Sequence, residues 1–201
     1  EFAGYPLEPD KEINGLTFGG VGSGTEVEFV QVSYSNDDSY EWFGGTVNAK
    51  HLVAYKGWDD DFDTDYGYTG NLQFLLSVRD KDIADTSDSN GFESDNDASG
   101  SSNTPLTKPV FSNVTLIGPF YGESAGKTEN DIFYVTEDAA NGAKGGSFQA
   151  AMHIRRNSSL NVYNSIFVGW PYGLYLQNAN VGAVVKNVIF AGMWENFKDE
   201  T

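Results

Sequence analysis

A three-residue motif recurs down the chain, with an apolar residue on each side, or a small one after, of a variable one. It occurs at Leu16-Thr17-Phe18, Tyr40-Glu41-Trp42, Phe62-Asp63-Thr64, Phe92-Glu93-Ser94, Met152-His153-Ile154 and Leu174-Tyr175-Leu176. Tyr40 and Phe62 are 22 residues apart, as are Met152 and Leu174. Similar strands at such a period are what a solenoid requires, because one turn cannot bury its apolar side alone and must stack on its neighbours. A second strand family precedes each motif: 27–32, 49–55, 72–76, 113–118, 164–169 and 187–192. These runs are short and rich in β-branched and aromatic residues, and Gly, Asn, Asp and Ser separate them. No helical period of comparable length competes. The expected fold is all-β, a right-handed parallel β-helix of six to seven turns.

Asn113, Asn164 and Asn187 stand at one offset before a glycine. Stacked turns bring them over one another, where their amides can hydrogen-bond along the stack. His51 falls near this corner and reads as structural. Two stretches interrupt the period, at about 96–108 and 119–149, the second carrying the strand-like Ile132-Phe133-Tyr134-Val135. They read as loop insertions in a single domain spanning 1–201, on the face where solenoids often bind. The opening Glu1-Phe2-Ala3-Gly4 reads as the end of a strand, so the sequence is expected to be a segment of a longer helix.

Strand alternation puts the central residue of each motif on the outer face. With rungs about 4.8 Å apart, Glu41, Asp63, Glu93, His153 and Tyr175 form one ladder. Phe43, Asp65, Asp95, Arg155 and Gln177 form another two positions on. Like charges one rung apart take up protons or bind a cation. Hard carboxylate oxygens in a chain without cysteine suit calcium. The metal candidates are Glu41, Asp63, Asp65, Glu93 and Asp95. The Asp-rich run 59–65 is not an EF-hand, since Thr64 stands where that loop needs Gly and Gly70 where it needs Glu.

A carboxylate pair could serve glycoside hydrolysis, and calcium with a base could serve elimination from a uronic acid polymer. Asp63, Glu93, His153 and Arg155 are the catalytic candidates for either. Trp58, Tyr66, Tyr68, Trp170 and Tyr172 lie beside turn residues and are candidates for stacking on sugar faces. The formal charge of −17, from 29 acidic and 12 basic residues, disfavours nucleic acid. No apolar stretch is long enough to span a membrane.

The stretch Glu12-Ile13-Asn14-Gly15-Leu16-Thr17-Phe18-Gly19-Gly20-Val21-Gly22-Ser23-Gly24-Thr25, followed by residues 37–51 (Asp37-Asp38-Ser39-Tyr40-Glu41-Trp42-Phe43 and onward to His51), resembles a family of exported β-helix proteins of the Bacteroidota. Asp59-Asp60-Asp61-Phe62-Asp63, residues 89–96 and His153-Ile154-Arg155-Arg156 are similar to it too. The resemblance implies an extracellular or outer-membrane surface protein and passes on no catalytic residues. The expected function is a surface module that binds polysaccharide or assembles with other copies through its coil ends. The alternative is a calcium-dependent polysaccharide lyase or glycoside hydrolase.

Overall fold

The structure is a computed structural model and describes residues 12–120, 146–178 and 182–201. The strand-like 132–135 and the opening 1–4 lie outside the described residues. Two parallel sheets wind about one axis, and no helix interrupts them among the described residues. The first sheet, sheet A, stacks β1 (Leu16–Gly19), β3 (Tyr40–Phe43), β5 (Phe62–Asp65), β7 (Phe92–Ser94), β9 (Ala150–Arg155), β11 (Tyr172–Gln177) and β13 (Glu195–Glu200) in that order. Sheet B stacks the eight-residue strands β2 (Glu26–Ser33), β4 (Asn48–Tyr55), β6 (Asn71–Val78), β8 (Val110–Ile117), β10 (Asn161–Val168) and β12 (Val184–Ala191). Odd and even strands never pair with each other, which is the signature of a coil that visits each sheet once per turn. The expected parallel β-helix is therefore the observed fold.

Each sheet B strand is bent in the middle. Phe29, His51, Phe74, Asn113, Asn164 and Asn187 occupy one column, and all six have φ between 51° and 59°. A left-handed residue turns the strand through a corner, so the eight residues form two short legs. Among non-glycine residues Asn adopts this conformation most readily and His more readily than Phe. The column divides accordingly. Asn187 donates to Asn164 Oδ1 at 3.1 Å, as the stacked-amide reading requires. In the earlier coils Phe29, His51 and Phe74 stack face to face instead, with ring centroids 4.6 and 5.1 Å apart. The asparagines are thus mid-strand corners and not strand starts.

The inward columns fill the coil. Leu16, Tyr40, Phe62, Phe92, Met152, Leu174 and Phe197 lie in register on sheet A. Facing them from sheet B are Val32, Ala54, Leu116, Phe167 and Phe190. Phe92 packs on Phe111 at 4.3 Å and edge-on to Phe167 at 5.6 Å. A buried hydroxyl chain crosses this core, with Thr64 Oγ1 2.8 Å from Ser94 Oγ and Ser94 Oγ 2.5 Å from Ser158 Oγ. Ser94→Ala is expected to cost about 1–3 kcal/mol, because it strands two buried hydroxyls. Urea unfolding measures this, and a loss indistinguishable from zero would show the chain to be dispensable.

Candidate acidic site on sheet A

A second ladder runs along the entry edge of sheet A, made by side chains of the turns. Asp38 Oδ1 accepts from the amide of Asp60 at 3.0 Å, Asp60 Oδ1 from that of Asn90 at 2.5 Å, and Asn90 Oδ1 from that of Ala150 at 3.0 Å. Each coil thereby clips the next. The device needs a carbonyl-type oxygen and not a charge, as Asn90 shows. It places Asp38 and Asp60 against the expected ladder, where Glu41 pairs with Asp63, Asp63 with Glu93, Glu93 with His153 and His153 with Tyr175.

That ladder is real but not the open face expected of it. Glu41, His153 and Tyr175 are buried at 9%, 1% and 3% exposure, and only Asp63 and Glu93 keep partial access. His153 is stacked flat on Tyr175 at 4.5 Å, and its Nδ1 lies 3.3 Å from Glu93 Oε2 without a hydrogen bond. Burial, aided by Arg155, pushes its pKa down to about 3, so the ring is neutral at physiological pH. Arg155 is equally committed. It contacts Glu93 Oε1 and donates to Asp95 Oδ1 at 2.9 Å, while Arg156 donates to Asp95 Oδ2 at 2.8 Å.

These pairings correct the expected metal set. Glu93 and Asp95 are already held by guanidinium groups. Asp65 turns to the exit edge, where its Oδ1 accepts from the amide of Tyr66 at 2.6 Å. What remains is Glu41 and Asp63, joined by Asp38, which the sequence reading passed over. One oxygen from each of Asp38, Glu41 and Asp63 lies within 4.8 Å of the others, and Asp37, Asp38 and Asp59 form an adjoining trio of the same kind. No ion pair links Asp38, Glu41 or Asp63 to a basic side chain among the described residues. Asn14 Nδ2 donates to Glu41 Oε2. Asp63 Oδ1 and Asn14 Oδ1 are buried without a hydrogen-bond partner. Burial, then the neighbouring Asp63, raises the pKa of Asp38 well above the usual range. Burial, then Glu93, does the same to Asp63, and burial lifts Glu41 to about 7. The trio thus carries uncompensated negative charge or bound protons at neutral pH.

The signal for Asp38 was present in the sequence. Asp37-Asp38 and Asp59-Asp60 stand at one offset before Tyr40 and Phe62. The run 59–65 splits among different roles. Asp60 clips Asn90, Asp61 faces Arg79 in the core, and Asp63 joins the ladder.

The expected sugar platforms also need correction. Trp58, Tyr68 and Trp170 are core residues at 6%, 0% and 0% exposure. A turn in a solenoid has an inner side to fill, and these large rings fill it. Trp170 lies edge-on to Phe148, and Arg79 sits over its ring at 5.5 Å. Tyr172 is half-buried with the Lys198 ammonium 4.8 Å from its ring centroid. Tyr66 alone of the five is fully at the surface, at 57% exposure.

The model of the pectate-lyase-like β-helix domain matches residues 1–200. The chain belongs to that family. No curated protein and no solved structure matches it. The family agrees with the two parallel sheets and extends over nearly the whole chain.

Proposed function

We propose that this β-helix is an extracellular module that binds acidic polysaccharide through a calcium ion held by Asp38, Glu41 and Asp63. The observation that supports it is the convergence of three carboxylates within 4.8 Å with no basic partner among the described residues. Three hard oxygen donors and the orphaned Oδ1 of Asp63 fit calcium, which takes six to eight oxygens and accepts irregular geometry. Bound there, the ion would neutralise the carboxylates and offer its remaining positions to the carboxylates of a uronic acid polymer. The pectate-lyase-like description of the family points to the same substrate class.

Binding is favoured over catalysis because the groups suited to act as a base are not free to do so. His153 is buried against Tyr175, and Arg155 is held by Glu93 and Asp95. The adjacent-rung spacing of Glu41 and Asp63 suits a retaining hydrolase pair, but any acidic ladder offers it.

Calcium added after EDTA treatment is expected to raise the melting temperature, by an amount corresponding to about 2.7 kcal/mol at a hundredfold excess over Kd. Asp38→Asn combined with Asp63→Asn should abolish the shift, while the Asn side chains preserve the clip between coils. Polygalacturonate should then bind the parent only when calcium is present. Equal melting with and without calcium in the parent would dispose of the reading.

A further inference from the structure

The column at the exit edge of sheet A contains Gly20, Gly44 and Tyr66, joined by backbone hydrogen bonds from Gly20 to Phe43 and from Gly44 to Asp65. All three have left-handed φ, of 63°, 66° and 49°, and the column repeats it in later coils at Arg156 and Asn178, with φ of 49° and 58°. The first two coils use glycine there, whereas Tyr66, like Arg156 in a later coil, is a bulky residue held in that conformation at a cost of roughly 1–2 kcal/mol. Packing does not explain the choice, because most of the Tyr66 side chain is in solvent. Its one ring neighbour among the described residues, Phe43, is tilted at 50° with centroids 5.9 Å apart. The preceding rung must also stay bare, since a Cβ on Gly44 would lie 2.8 Å from the Tyr66 carbonyl oxygen. Phe29, His51 and Phe74 by contrast spend their faces on one another.

Tyr66 forms one wall of a cleft of about 350 Å3, whose other sides are Asn96, Asp97, Asn103, Thr104 and Pro105. That volume is at the lower end of the range for small-molecule sites, about 300–1,000 Å3. The cleft is held rigid from behind. Asp97 Oδ1 accepts from the amides of Ser99 and Ser101 at 2.9 and 3.1 Å. Asn96 accepts from the Thr107 amide at 2.8 Å and donates to the carbonyls of Ser101 and Asn103. Gly67 presses the Tyr66 turn onto this loop, its amide donating to Thr107 Oγ1 at 2.8 Å. No Lys or Arg lines the cleft, and hydrogen bonds from Ser99 and Ser101 hold Asp97 ionised. An anionic sugar is therefore disfavoured, whereas a neutral pyranose can lay its C–H face on the ring and its hydroxyls against Asn103 and Thr104.

The geometry points to a second carbohydrate subsite, in which Tyr66 and the 96–105 loop bind one ring of a neutral glycan. It shares with the calcium reading only the class of ligand. The test is a 1H–15N NMR titration of the whole chain in EDTA with xylohexaose and with cellohexaose. At least one should shift amide signals from residues 96–105. Tyr66→Ala should weaken that binding by about tenfold or more, and Tyr66→Phe should stay within about threefold of the parent. Asn103→Ala, at an exposed loop position, should also weaken it without changing the melting temperature. The subsite is overturned if neither oligosaccharide shifts these signals, if Tyr66→Ala binds as tightly as the parent, or if binding appears only with calcium. Failure of calcium to stabilise the protein would leave the EDTA titration unaffected, so the two readings fail separately.

Discussion

Replacing Arg79 with Met is expected to lower the unfolding free energy by about 3–5 kcal/mol, the usual consequence of orphaning a buried charge. Arg79 and Asp61 are fully buried, and the guanidinium Nε donates to Asp61 Oδ2 at 3.1 Å. The remaining donors reach the carbonyls of Gly57 at 2.9 Å and Asn90 at 2.6 Å, and contact that of Asp59. One side chain therefore joins turns from successive coils, and its loss leaves the buried Asp61 carboxylate without a counter-charge, held by the Ser77 hydroxyl, and takes a donor from each of the carbonyls it reaches. Methionine fills a similar volume, which keeps the cavity contribution small. Denaturant unfolding measures the change. A control with Asp61→Asn added should recover part of it, because the buried negative charge is then gone. A single-variant loss below about 1 kcal/mol would mean that water or another group replaces Arg79.

The second large effect concerns pH. Asp38, Asp60 and Asp63 have pKa values well above the usual carboxylate range, and Glu41 and Glu93 lie at about 7, in every case chiefly through burial. In the unfolded chain the same groups titrate near 4. Between these limits the folded protein holds protons that the unfolded chain has released, so stability falls as pH rises. The contribution is complete below about pH 4 and declines as pH rises, that of Glu41 and Glu93 being lost as pH climbs through about 7. His153 works in the opposite direction, since its depressed pKa destabilises the fold as pH drops below the unfolded value near 6.5. Asp37, Asp59, Asp61 and Asp65 are raised as well, so it is one group against nine. In EDTA the melting temperature is accordingly expected to be higher at pH 5 than at pH 8. The variant carrying Asp38→Asn, Glu41→Gln and Asp63→Asn should flatten the profile. Scanning calorimetry across that range decides it, and a melting temperature that rises with pH in EDTA would show the cluster to be neutralised by other means.

The coil and the alignment of the sheet A motifs were legible in the sequence because the apolar–variable–apolar pattern marks that sheet directly, whereas the exact strand register was not. The one sheet A strand that escaped, β13, reads Glu-Asn-Phe-Lys-Asp-Glu, with one apolar residue to announce it. The corner column was half visible. Asn carries a recognisable preference for left-handed φ, whereas Phe29 and Phe74 carry none and the preference of His51 is weaker. In the candidate site, alternation correctly set Glu41, Asp63, Glu93 and His153 in a row. Alternation says nothing about what lies beside a row, so the burial of His153 and the capture of Glu93 and Asp95 by Arg155 were hidden. Trp58 and Trp170 were misplaced for a related reason: turn residues have no strand period from which to read inside and outside.

The clips along the entry edge of sheet A separate two properties that most folds tie together. Asp38, Asp60 and Asn90 perform the same mechanical task with different formal charge. Exchanging one for another resets the local electric field while the winding of the chain is left alone. A β-helix built this way can therefore drift in ionic character rung by rung, acquiring or shedding affinity for charged polymers, with its architecture as a fixed background.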